Sequence, residues 1–127
     1  MSGIEFLLDT NFILGLLQRN DRVMEIVANR NILAGSCAVS AITRMELLGF
    51  PDITLYEEQL IRERLTEFQY APLTREIENI VITIRRNRKI KLPDAIIAGT
   101  AYILESELLT LDRQLSSVAS SLEEILD

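Results

Sequence analysis

The stretch IEFLLDTNFIL, residues 4–14, changes its hydrophobic rhythm at a single acid, and that change decides the fold class. From Ile4 to Leu8 the residues form a short apolar run rather than an alternation. This pattern suits a parallel-sheet strand covered on both faces. The run stops at Asp9. Beyond it Phe12, Ile13, Leu16 and Leu17 recur at helical spacing. Val23, Ile26 and Val27 do so again after the Asn20-Asp21 break, so two short helices follow the first strand.

Working outward, the alternation repeats. Ser36 to Ser40 reads as a second strand and Ala41 to Leu48 as a helix stopped by Gly49 and Pro51. Thr54 with Glu57 has the form of a capping box, opening a helix that directs Leu60, Ile61, Leu65 and Phe68 to the core. Gln69 to Pro72 fits a further strand. Thr74 begins a helix in which Ile77, Ile80, Val81 and Ile84 follow the i, i+3, i+4, i+7 pattern throughout. Pro93 suits a first helical turn, where its missing N–H is no loss, and Asp94 to Leu104 follows with few polar positions. Glu107 to Leu111 reads as a last strand ending at Asp112, and Ser116 to Ser121 leads into a weakly defined tail. Strands alternating with helices imply an α/β three-layer sandwich with a mainly parallel central sheet and right-handed crossovers. With 127 residues, 48% of them apolar, residues 1–127 form a single domain.

The composition narrows the chemistry. There is no histidine, which removes imidazole as general base and metal ligand and with it Ser-His-Asp and Cys-His catalysis. The single cysteine, Cys37, has no internal partner and reads as a small core residue without a function. No stretch reads as a signal peptide or a membrane span, so a cytoplasmic location is expected.

What remains is carboxylate chemistry, in a chain of formal charge −6. In an open parallel sheet, ligands bind outside the carboxyl ends of the strands. Asp9 and Asp112 belong at that edge. Asp94, in the first turn of a helix, and Glu46, about two turns into another, are placed to project toward it. Like charges about 4 Å apart would repel by roughly 4 kcal/mol at an effective dielectric of 20, so a converged set requires a cation. Oxygen ligands alone favour magnesium or manganese, which suits hydrolysis of a phosphodiester by a metal-activated water. Each acid also has an ordinary structural role available. Asp9 can cap the next helix, Asp94 can complement a helix dipole, Glu46 can close a capping box with Thr43, and Asp112 can serve as a turn residue.

Four motifs carry a resemblance that spans most of the chain: LLDTNFIL at 7–14, SAITRMELLGF at 40–50, LPDAIIAGTAYIL at 92–104 and LLTLDRQL at 108–115. In order and spacing they resemble the PIN-domain family, in particular the VapC-type toxin ribonucleases of toxin–antitoxin pairs. The resemblance implies catalytic, metal-holding acids at Asp9, Glu46, Asp94 and Asp112. It also implies a supporting Asn11 that orients Asp9 or a ligand water, and Thr110 as part of the TxD pattern. Many relatives carry another Asp where this chain has Gln114, which bears on a second metal. The implied substrate is RNA, cut to leave a 5′-phosphate with Mg2+ or Mn2+. The implied partners are a second copy in a homodimer and a cognate antitoxin whose disordered tail places a basic side chain among the acids.

An acidic protein that holds RNA must distribute its charge unevenly. Two divalent ions would add four positive charges to the formal −6. Arg85, Arg86, Arg88, Lys89 and Lys91 form a basic run just before Asp94, fit either to grip phosphates or to serve as a solvated helix end. No interleaved aromatics suggest a base-stacking platform. A receiver-type domain would need a lysine on a late strand, and a phosphoaspartate phosphatase a second Asp where Asn11 stands. The rival from another class is a PIN-like module that binds RNA or protein without cutting it.

Overall fold

The computed structural model describes residues 3–126 and follows the predicted alternation. In chain order the elements are β1 (Phe6–Leu8), α1 (Thr10–Leu17), α2 (Asp21–Asn29), β2 (Cys37–Ser40, after a short 3-10 turn at Ala34–Ser36), α3 (Ala41–Leu48), α4 (Leu55–Leu65), β3 (Gln69–Ala71), α5 (Arg75–Asn87), α6 (Leu92–Ile103), β4 (Glu107–Leu109), α7 (Arg113–Ser120) and α8 (Leu122–Leu126).

All strand pairings are parallel, and the sheet order is β3-β2-β1-β4. Leu8 pairs with both Val39 and Leu109, so β1 and β4 end at the same level and β2 runs one residue further, to Ser40. Successive strand residues face opposite sides, which divides the core in two. Leu7, Ala38 and Leu108 pack with Ile77, Val81 and Ile84 of α5 and with Ala95 and Ala98 of α6. Leu8, Val39 and Leu109 pack with Phe12, Ile13, Val23 and Leu47 on the other face. That is the three-layer sandwich expected from the sequence. The chain leaves β1 toward β2 on one side and later returns to β4 on the other. The crevice between the ends of β1 and β4 is therefore the topological switch point.

Helix starts follow the local chemistry. Asp9, Asn20, Ser40, Thr54, Thr74 and Asp112 each accept a backbone N–H from the first turn of the helix they precede. Thr54 and Glu57 form the full capping box. Gly99 brings α6 close to α5, where a Cβ would stand 3.2 Å from Val81 Cγ2.

Four expectations are corrected. The last strand stops at Leu109 instead of Leu111, because the Thr110 side chain turns to Asp9 and Leu111 emerges half-exposed. The first strand begins at Phe6 rather than Ile4. The Ser-rich tail is two helices, held by Leu115 and Leu122 in the core. On α4, Ile61, Leu65 and the following Phe68 pack inward, whereas Leu60 is exposed because the helix presents only one edge to the sheet. Among the described residues no helix is long and apolar enough to cross a membrane.

Candidate active site

The first acid is placed by three neighbours. Asp9 follows β1 directly and its N–H donates to Leu109 O of β4 at 3.2 Å. One carboxylate oxygen caps α1 by accepting the Phe12 N–H at 2.7 Å, and the other accepts the Thr110 hydroxyl. Asp9 is buried. Desolvation raises its pKa above the ordinary 3.8, the two hydrogen bonds pull it back, and the charges of Asp112 and Asp94 raise it again. The same Thr110 oxygen accepts the Asp112 N–H at 3.0 Å, so one hydroxyl sets the spacing of two acids.

Asp112 caps α7, its Oδ1 accepting from Gln114 N at 2.9 Å and Leu115 N at 3.2 Å. The structural role available to it in the sequence is therefore real, and it coexists with a position at the switch point. Glu46 does not close a capping box with Thr43, because Ser40 is the cap of α3. Its Oε1 instead accepts the Thr10 hydroxyl at 2.6 Å. Thr10 Oγ1 also lies 3.1 Å from Thr43 Oγ1, which is 3.3 Å from Ser40 Oγ. Sequence reasoning missed this hydroxyl chain, although Thr10 stands beside Asp9 in the first motif.

Asp94 occupies the first turn of α6 and, among the described residues, has no hydrogen-bond partner for its side chain. Its pKa is also raised, first by desolvation and then by Asp112 and Glu46, against an opposing pull from Lys91. Asp9 thus feels the charges of Asp112 and Asp94, and Asp94 those of Asp112 and Glu46, across four separate segments. Asp9, Asp94 and Glu46 line one depression of about 220 Å³ together with Thr10 and Asn11. Asn11 is exposed there, while the two oxygens of Asp9 go to Phe12 and Thr110.

Asp94 and Asp112 also border a larger cleft of about 730 Å³ with Arg88, Lys89, Lys91 and Arg113. The basic run is therefore split. Arg88 and the two lysines face the acids, whereas Arg85 and Arg86 do not line the cleft, and Arg85 Nε donates to Ile90 O at 3.4 Å to shape the turn. Arg113 was not singled out from the sequence, yet it directly follows Asp112. Another cavity, about 770 Å³, lies away from these acids among the ends of α6, α7 and α8.

Among the described residues no three of the carboxylates stand close enough to hold an ion as they are. Asp9, Asp112 and Glu46 each accept a hydrogen bond from a nearby donor. The donor set itself, oxygen only and sharing one edge, is of the kind a hard divalent ion takes. Cys37 plays no part here. It is buried, its thiol is directed at Leu33 O at 3.4 Å, and burial pushes its pKa up to about 11.

Fold and site together define a parallel α/β domain with an acidic crevice at the switch point. The PIN domain family model matches residues 6–121, and the chain belongs to that family. Among solved structures it is similar to a toxin–antitoxin complex from Klebsiella pneumoniae, with TM-score 0.73, 29% identity, and 85% of this chain and 87% of that one covered. It is also similar to FitAcB from Neisseria gonorrhoeae, with TM-score 0.74, 27% identity, and 91% and 93% covered. A structure of FitAB bound to an IR36 DNA fragment matches with TM-score 0.70 and 24% identity over 91% and 90%, and shows likeness of fold. Comparison with curated proteins gives no match.

Proposed function

We propose that this protein is a Mg2+- or Mn2+-dependent endoribonuclease, the toxin of a toxin–antitoxin pair. The observation that carries the reading is the gathering of Asp9, Glu46, Asp94 and Asp112 from four segments onto one edge, beside a basic cleft. Capping α1 and α7 accounts for Asp9 and Asp112 singly but not for four acids on one edge, where their mutual repulsion suits a cation.

Asp9, Asp94 and Asp112, with Glu46, would hold the ion. When bound, it would act as Lewis acid and lower the pKa of a water for attack on phosphorus. The protein's own part is positional. Thr110 and the α1 N-terminus fix Asp9, Thr10 fixes Glu46, and the unbonded Asp94 is free to turn toward an incoming cation. Arg88, Lys89, Lys91 and Arg113 would hold backbone phosphates beside Asp94 and Asp112. Arg85 and Arg86 would add charge to the same end of α5.

The antitoxin partner is supported by the similarity to toxin–antitoxin complexes, and it would act by bringing a basic group to the acids. A homodimer and a cytoplasmic location complete the proposal. The second reading, a PIN domain that binds RNA or protein without cutting, is favoured by the separation of the carboxylates. Incubating purified protein with a cellular RNA pool, with and without manganese, decides between them. Metal-dependent cutting that disappears in Asp9→Asn supports the nuclease, and intact RNA in both conditions supports the binding module.

A further inference from the structure

Not all of the depression beside the acids is polar. Beside Asp9, Thr10, Asn11, Glu46 and Asp94 it is lined by Leu14, Ile97 and Phe50, Leu14 one turn on from Asn11 in α1 and Ile97 one turn on from Asp94 in α6. A hydrated ion and a phosphate need only the polar groups. Ile97 is buried and Leu14 partly so, but Phe50 is 60% exposed, an aromatic ring left in water at the rim.

The local chain constrains the backbone that carries that ring. At Gly49 the backbone passes so near the end of α3 that a Cβ would lie 2.6 Å from Met45 O, which only glycine tolerates. Phe50, Pro51, Asp52 and Ile53 then form a tight turn, with Ile53 N donating to Phe50 O at 3.3 Å and Asp52 at φ 62°. Proline at the second position and a positive φ at the third give a turn of type II character. The backbone of Phe50 is thus fixed, and its side chain lines the same cavity as three of the four acids.

On the far side of Asp94 lies the basic cleft with Arg88, Lys89, Lys91 and Arg113. A strand whose phosphates run along that cleft and cross the acids would bring its next base to the apolar wall.

We infer that Phe50, with Leu14 and Ile97, forms a nucleobase subsite that stacks one unpaired base next to the scissile phosphate. This rests on the nuclease reading above. A base in a duplex has both faces covered by its neighbours and cannot present one to the ring. Asn11 stands in the same depression with both amide functions available to the edge of that base.

The test uses the full chain in the inactive Asp94→Asn background with Mn2+, and a short single-stranded RNA carrying 2-aminopurine at successive positions. Binding should quench one position more than the others. Phe50→Ala should abolish that quench and weaken affinity by about tenfold, in line with the loss of one base–aromatic stack. Phe50→Trp should restore both, and Phe50→Leu should not. An abasic nucleotide at the quenched position should remove the difference between Phe50 and its alanine variant. In the active protein, Phe50→Ala should raise KM for single-stranded RNA more than it lowers kcat. Unchanged affinity and quench in Phe50→Ala, with parental binding intact, would overturn the subsite alone. Unchanged RNA affinity with an altered oligomeric mass would assign Phe50 to an interface between copies instead. Failure of the parental protein to bind or cut any RNA would remove the nuclease reading and the subsite together.

Discussion

Carboxylates at the two ends of the sheet are treated in opposite ways. At the carboxyl edge, Asp9 and Asp94 sit where burial and then the charges of neighbouring acids raise their pKa values. Away from that edge, Glu107 at the start of β4 is held below its ordinary 4.5 by the Arg30 guanidinium, which forms a two-pronged pair at 2.7 and 2.8 Å. Glu57 is likewise lowered by the Thr54 backbone and hydroxyl that it caps. The fold welcomes charge in one region and opposes it in the other. An opposed charge that is retained calls for a counter-ion from outside, whereas a welcomed one is complete within the chain.

The largest expected effect breaks the first half of that comparison. Asp9→Asn or Asp94→Asn should take manganese-dependent RNA cleavage below detection, while Glu107→Gln leaves the rate unchanged. Equal loss in all three would mean that total charge, and not the gathered site, governs activity.

Next in size is Thr110→Val, which preserves shape but deletes the hydroxyl shared by Asp9 and Asp112. Activity should fall about 10- to 100-fold, as for other groups that orient metal ligands. Because this hydrogen bond lowers the Asp9 pKa, its loss should also move the acid limb of the pH–rate profile to higher pH. A lower rate with an unmoved limb would leave Thr110 with a purely structural part.

Metal should then reverse the electrostatic penalty. At about 100 times its dissociation constant, an ion bound only by the folded state stabilises it by about 2.7 kcal/mol. Thermal unfolding with and without manganese should show this gain, and Asp94→Asn should lose most of it.

The smallest effects concern stability without metal, and their signs differ between regions. A raised folded pKa means that the folded state binds more protons between the unfolded and folded values, so stability falls as pH rises through that window. Asp94→Asn should therefore unfold at higher temperature than the parent at neutral pH. The advantage should vanish as pH drops below the ordinary 3.8. Glu107, with its lowered pKa, contributes stability above its unfolded value that is lost as pH falls through the folded one. Glu107→Gln should cost no more than about 1 kcal/mol at neutral pH, since Arg30 and Glu107 are 43% and 53% exposed. The difference should fade in acid. Melting curves at a series of pH values compare the two directly.

Much of the fold was legible because its signals are local. The continuous run before Asp9, the repeat from Ile77 to Ile84 and the capping box at Thr54 depend on near neighbours alone. The errors arose where distant contacts decide. Leu111 leaves the last strand because Thr110 turns to an acid 101 residues earlier in the chain. The Ser-rich tail becomes helical because Leu115 and Leu122 find a core that the tail's own composition does not announce. The site divides in the same way. The four acids and the lysines beside Asp94 could be picked out by motif. The Ser40–Thr43–Thr10–Glu46 chain, Arg113 in the basic cleft and Phe50 on the apolar wall could not, since none is defined by spacing along the chain.

By itself the sequence determined the alternation of strands and helices and the exclusion of imidazole chemistry, since these follow from side-chain type and short-range period; the four acids it singled out as a set only through the motifs' resemblance to a family. Only the tertiary structure decided which groups share the crevice. The strand order places β4 beside β1 and so sets Asp112 next to Asp9. Their separation along the chain is then spanned by parallel pairing, which no local rule encodes.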